Sequence, residues 1–255
     1  MNEPLEEFPR DGVALVFGGS GDIGAATCRR LAQGGAKVAL TYFKNRAPSE
    51  ALAEELGQGT RIYQLDTEDL GAVEAVIADC VETDGHIHTV VIAAGANIRL
   101  KYLSEISVEE WQAAVKTDMF GGYNIVKTLL PVFRQQRQGN LVLVSTAALA
   151  RYSPKDALST GPKGGLEALI YAVAREEGKF GVRANVLSLG VIDGGIMNRF
   201  WADLSPEFTE VIKQSNALRR MGTPAEAAEA IVFLASARAS YITGQRLCLD
   251  GGYSI

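Results

Sequence analysis

"VALVFGGSGDIGAATCRRLAQGG", residues 13–35, runs from a short apolar stretch through four closely spaced glycines into a segment with helical periodicity. In order, this predicts a strand, a tight turn and a helix. Gly18, Gly19, Gly21 and Gly24, with Ser20 and Ile23 between them, permit a sharp turn and close approach of backbone to a phosphate. The helix N-terminus beyond them offers unpaired amides to an anion. A turn built only for packing is the competing reading of the same residues.

Working outward, the same alternation of apolar run and amphipathic segment continues to the C-terminus. The predicted strands are "VALVF" (13–17), "KVALTY" (37–42), "RIYQL" (61–65), "TVVIAA" (89–94), "NLVLVS" (140–145), "VRANVLSL" (182–189) and "QRLCLD" (245–250). Their nearly continuous apolar character suits strands covered on both faces. Leu166, Leu169, Ile170 and Val173 recur at helical spacing in one of the intervening segments. Strands alternating with helices imply right-handed crossovers and a doubly wound parallel α/β sheet of about seven strands. With no linker, repeat or low-complexity stretch, residues 1–255 read as a single domain.

Of 255 residues, 47% are hydrophobic and 22% charged, ordinary values for a globular protein. A net charge of −5 argues against nucleic acid or an anionic membrane as partner. "MNEPLEEFPR" (1–10) is acidic and has no apolar run, so neither a signal peptide nor a membrane span is expected. Three scattered cysteines, Cys28, Cys80 and Cys248, suit a reducing cytoplasm and are expected to be buried and inert. His86 and His88 have a metal-like spacing but no Cys or carboxylate cluster beside them, so no metal site is expected.

Two further positions bear on nucleotide binding. Asp66, after the third strand, can accept from an adenine amino group or simply cap a turn. No acid ends the second strand; Lys44 and Arg46 follow it instead, which leans toward a 2′-phosphate and NADP.

At this point the chain resembles the short-chain dehydrogenase/reductase family over essentially its whole length. The resemblance rests on "GGSGDIG" (18–24), "RMGTPAEAAEAIVFLAS" (220–236) and "SYITGQRLCLDGGYSI" (240–255). It implies a Rossmann-like sheet, NAD(P)-dependent hydride transfer between alcohol and ketone, and assembly into dimers or tetramers. It also implies an Asn, Ser, Tyr, Lys tetrad, in which tyrosine is the acid/base, lysine lowers its pKa and holds the nicotinamide ribose, and serine polarises the carbonyl.

Residue by residue, that pattern fails here. The tyrosine and lysine positions read Ser159 and Lys163, the serine position Thr146, and the asparagine position Asp118. Asn-Asn-Ala-Gly becomes Ile92-Ala93-Ala94-Gly95, Pro-Gly becomes Leu189-Gly190, and the threonine expected to hold the carboxamide becomes Gly194. The nucleotide turn carries Phe17 for threonine and Asp22 for glycine. A phenol near 10 can be drawn toward neutrality by an adjacent ammonium, whereas an aliphatic alcohol cannot. Loss of a positioned general acid costs on the order of 10²–10⁴ in rate. Pro162 is expected in a first helical turn, where proline is tolerated, whereas the Gly164-Gly165 pair is expected to weaken the helix that carries the lysine. Tyr152 and Asp156, the latter seven residues before Lys163, read as ordinary loop residues, and "IMNRFW" (196–201) falls where the family carries a substrate lid.

Three functions follow as alternatives. The first is a non-catalytic subunit that assembles with a full-tetrad homologue, as in two-subunit hydroxyacyl-CoA dehydrogenases. The second is an atypical ketoreductase using Thr146, Lys163 and a replacement acid, and the third a nucleotide sensor. Gly18, Ser20, Ile23, Gly24, Lys44, Asp66 and Gly95 remain as the cofactor-binding set, with weak or absent NAD(P) binding expected. Contact with a partner is expected through helices near Val108–Gln136 and Ser159–Lys179, eased by Gly164, Gly165, Ala168 and Ala172.

Overall fold

A computed structural model describes residues 7–57, 59–194 and 206–255. Seven parallel strands form one sheet in the order β3-β2-β1-β4-β5-β6-β7. They are β1 (Val13–Phe17), β2 (Val38–Tyr42), β3 (Arg61–Gln64), β4 (Ile87–Ile92), β5 (Gly139–Thr146), β6 (Val182–Leu189) and β7 (Arg246–Leu249). The α-helices are α1 (Asp22–Gln33), α2 (Ala47–Leu56), α3 (Leu70–Asp84), α4 (Val108–Ala114), α5 (Gly121–Gln136), α6 (Ala157–Glu177), α7 (Pro206–Ser215) and α8 (Pro224–Ala235). A π-helical turn, Val115–Phe120, joins α4 to α5.

Two apolar layers sandwich the sheet. On one face Val73, Ile77 and Cys80 of α3, Ile125, Leu129 and Phe133 of α5, and Leu166, Ile170 and Val173 of α6 meet Leu15, Phe17, Val90 and Leu143. On the other, Cys28 and Leu31 of α1, Leu52 of α2 and Ile231 and Val232 of α8 meet Ala14, Val16, Leu40 and Val91. The chain moves outward from β1 through β2 to β3, then crosses to β4 on the other side of β1. Carboxyl ends of β1 and β4 therefore flank the switch point, where open parallel sheets place ligands.

Several expectations need correction. β4 begins at Ile87 rather than Thr89, because the apolar residues Ile87 and Ile92 fill the α3–α5 layer. Burial on both faces holds for the central strands; at the sheet edges β3 is half-buried and β7 largely exposed. Cys248, on β7, is therefore exposed, while Cys28 and Cys80 are buried and burial pushes the Cys28 thiol up to about 12. The rod from Val108 to Gln136 is interrupted by the π-turn.

α6 is continuous despite its proline and glycines, and it starts at Ala157, so Pro162 falls in the second turn instead of the first. The glycines are packing positions. A Cβ on Gly161 would lie 2.3 Å from the Trp111 ring, and one on Gly165 would lie 3.0 Å from the Met119 Cε. Gly164 faces Leu149 in the same way, so Gly164 and Gly165 serve contacts within the chain; only Ala168 and Ala172 of the expected contact set are exposed. The proposed lid, 196–201, lies outside the described residues.

Candidate active site

The four tetrad positions converge at the carboxyl end of the sheet. Helical side chains lean toward the N-terminus of their helix, so Lys163 reaches back from α6 toward the end of β4. A Cβ on Gly95 would lie 3.1 Å from the Lys163 ammonium and 3.4 Å from Asp118 Oδ1. The π-turn carries Asp118 inward until its side chain is only 2% exposed. There Oδ2 accepts from Lys163 Nζ at 2.5 Å, and Oδ1 accepts from the Ala96 amide at 2.5 Å. Lys163 and Asp118 thus form one largely buried ion pair, pinned to the loop after β4. A buried carboxylate is stable only when paired, and the lysine provides that pairing.

The remaining two positions are less committed. Thr146 ends β5 and accepts from the Ala148 amide at 3.2 Å, capping the short turn that follows. Its hydroxyl proton is still available to a ligand oxygen. Ser159 is buried in the first turn of α6, one helical turn before Lys163. Tyr152 is 55% exposed on the loop before α6.

Asp156 stands apart from its expected loop role. It is the N-cap of α6, yet its side chain makes no capping bond. Its backbone carbonyl instead accepts from the amides of Ser159 and Thr160. Asp156 also bridges to Lys101, whose amide donates to the carbonyl of Lys155, a non-glycine residue held at φ +73°. Burial pushes the Asp156 carboxyl up to about 6, only partly opposed by the Lys163 charge. One ammonium serves two carboxylates, and Asp118 has the direct contact.

The glycine-rich turn is shaped by its own packing. Gly18 has φ +80°, and its amide donates to Thr41 Oγ1 at 3.1 Å. A Cβ on Gly24 would lie 2.2 Å from the Gly18 carbonyl oxygen, and one on Gly19 would lie 2.5 Å from Leu40 Cβ. Phe17 and Ile92, which replace polar family residues, are fully or almost fully buried in the core. Asp22 opens α1, and a cavity of about 760 Å³ is lined by Asp22, Asp193, Gly194 and Ser20. Asp22 therefore puts a carboxylate at the helix end that would receive a pyrophosphate, where it competes with an anionic ligand for the helix dipole, while Arg29 and Arg30 line the same cavity farther along α1. Ile23, half-buried, packs onto the α1 layer. Asp66 is exposed and accepts from the Glu68 amide, so it does serve a turn. Lys44 sits 5.0 Å over the Phe43 ring, and Arg46 pairs with Glu50 on its own helix rather than awaiting a phosphate. The residues present do not fit an intact dinucleotide well.

Sequence reasoning passed over Glu167, which is 1% exposed on the buried side of α6. It accepts from Ser145 at 2.6 Å and from Arg246 at 2.6 Å, tying α6 to β5 and to the edge strand β7. The available signal was a charge beside Leu166 on the apolar stripe. Among the described residues no group of three His, Cys, Asp or Glu is placed to hold a metal, and no helix is long and apolar enough to cross a membrane.

A doubly wound sheet with a glycine-rich first turn and a lysine on the sixth helix defines a class of nucleotide-dependent oxidoreductases. The chain belongs to the short-chain dehydrogenase/reductase family: a family model described as Enoyl-(Acyl carrier protein) reductase matches residues 19–254. The 3-oxoacyl-(acyl-carrier-protein) reductase FabG of Staphylococcus aureus is 30% identical over 242 residues, covering 94% of this chain and 96% of that protein. L-fucose dehydrogenase of Rattus norvegicus is 32% identical over 242 residues, covering 94% of this chain and 88% of that one. The crystal structure of gox2181 shares the fold, with a TM-score of 0.89 at 24% identity over 96% of both chains.

Proposed function

We propose that this chain is a non-catalytic subunit, one domain over residues 1–255, of an NAD(P)-dependent alcohol or hydroxyacyl-CoA dehydrogenase in the cytoplasm. A homologous partner carries Ser, Tyr, Lys and the cofactor, while this chain stabilises the partner or shapes its substrate pocket. The two-subunit dehydrogenase acting on (hydroxy(phenyl)methyl)succinyl-CoA is an assembly of the kind envisaged. One observation carries the reading: the Lys163 ammonium is bound to Asp118, and a serine stands where the ammonium would activate a phenol. Co-expression with a full-tetrad homologue, followed by native mass spectrometry, tests it. A hetero-oligomer supports the reading; exclusive homo-oligomers beside a partner fully active alone refute it.

Asp156 favours a second reading, the atypical ketoreductase. A half-buried carboxyl raised to about 6 is a candidate acid alongside Thr146 and Lys163. The nucleotide-sensor reading is disfavoured by Asp22 in the first turn of α1.

A further inference from the structure

At the amino end of the sheet, opposite the tetrad positions, a cavity of about 710 Å³ opens between the N-terminal segment, the start of β5, the α6–β6 turn and the end of α8. Phe8, Pro9, Val182, Ala235 and Ala237 give it an apolar wall, and Arg183 of β6 gives it a charge. Among the described residues three arginines are half-buried, and two of them have acids: Arg30 pairs with Glu7 and Glu229, and Arg61 with Asp84. Arg183 has none, and burial alone draws its pKa below the usual arginine value. Its terminal nitrogens donate to the carbonyls of Leu234, Ala235, Ser236 and Ile242, which caps the C-terminus of α8. A helix end offsets only about half a charge. The Arg183 Nε–H has no partner among the described residues.

The groups around Arg183 set what can bind. Thr243, also on the wall, accepts from the Ala184 amide at 3.1 Å, which fixes it beside Arg183 and leaves its own proton for a ligand oxygen. A Cβ on Gly181 would lie 2.4 Å from the Arg137 carbonyl, so Arg137 borders the mouth. Arg137 and Lys179 lie 5.4 and 5.2 Å over the Phe180 ring, and neither joins an ion pair among the described residues. The acid on the wall is Glu7, whose carboxyl is held below the usual range by Arg30 and then by Arg238. Its fixed negative charge weighs against a dianion. One N–H, one hydroxyl and one positive charge without an acid suit a monoanionic head, and the apolar wall suits a hydrocarbon body.

We propose that this cavity binds a small carboxylic acid with an apolar body, its carboxylate on Arg183 and Thr243 and its body along Phe8, Pro9 and Val182. The site shares no residue with the tetrad corner, so it stands whether or not this chain is catalytic. Titration of the full chain with sodium hexanoate, followed by amide correlation spectra in solution, tests it. Saturable shifts of the Gly178, Gly181, Ser236 and Tyr241 amides are expected, with a dissociation constant on the order of 1 mM. Hexanamide keeps the body and loses the charge, and should bind at least about tenfold more weakly. Hexyl phosphate should bind no more tightly than hexanoate. Arg183→Gln should weaken hexanoate by the same factor as the loss of its charge. Where uncapping α8 unfolds that variant, Ala237→Trp carries the test: it fills the cavity from an exposed position and should abolish the shifts with the fold intact. The absence of saturable shifts would overturn the proposal. So would equal binding of hexanoate and hexanamide, tighter binding of hexyl phosphate, or shifts that survive Ala237→Trp.

Discussion

Lys163 and Asp118, 45 residues apart in the chain, meet at 2.5 Å with the carboxylate almost wholly buried. In this pair the lysine is the counter-ion of a buried carboxylate. Lys163→Met leaves Asp118 buried and uncompensated and should destabilise the chain by about 3 kcal/mol in urea titrations. Adding Asp118→Asn should recover most of that loss. In an assembled complex Lys163→Ala should leave turnover per intact oligomer nearly unchanged.

Asp156 gives a pH signature of definite sign. Its carboxyl titrates near 3.8 when unperturbed and near 6 in the fold, so the folded state holds the extra proton between these values. Its contribution to stability is present at low pH and is lost as pH rises through about 4 to 6. Asp156→Asn should therefore stabilise the chain at pH 7, by about 2 kcal/mol, and have little effect below pH 4. His88, held down to about 4 by burial, changes stability in the opposite direction. The difference between wild type and Asp156→Asn across the pH range isolates the aspartate, and a flat difference would contradict its burial.

Gly24→Ala brings a methyl group against the Gly18 carbonyl, which cannot swing aside. A loss of about 2–3 kcal/mol is expected, without any nucleotide present. Gly178→Ala is the control, at φ −53° with nothing within 4 Å of the new Cβ, and should be neutral or slightly stabilising. Equal effects at the two sites would show that the first turn is not packed as described.

The sheet was legible because its strands are apolar runs separated by helix-period segments, and β1 and β6 fall where the sequence predicts them. Edge exposure was not, since Leu247 and Cys248 look like core until β7 is known to be the last strand. The gap at the tyrosine position was readable from Ser159 and Lys163 alone. What those letters do not encode is which groups meet. The π-turn that brings Asp118 to Lys163 leaves no local signature, and Asp156 looked like a loop residue because its burial depends on the loop of Lys101. Paired glycines on α6 suggest weakness, whereas Leu149 and Met119 need the space.

The cofactor expectation has a direct test in calorimetry. The isolated chain should show no low-micromolar affinity for NADH or NADPH, and Asp22→Gly should strengthen whatever binding exists by removing a carboxylate from the α1 terminus. Low-micromolar binding by the wild type would revive the sensor reading.

The central claim is that this chain lacks a self-sufficient hydride-transfer site. The most direct measurement follows NAD(P)H oxidation by the purified chain against ketones and 3-oxoacyl thioesters, with Lys163→Ala measured in parallel. The account predicts no turnover above background and no difference between the two proteins. Turnover by the wild type that Lys163→Ala abolishes, with the fold intact, would contradict it.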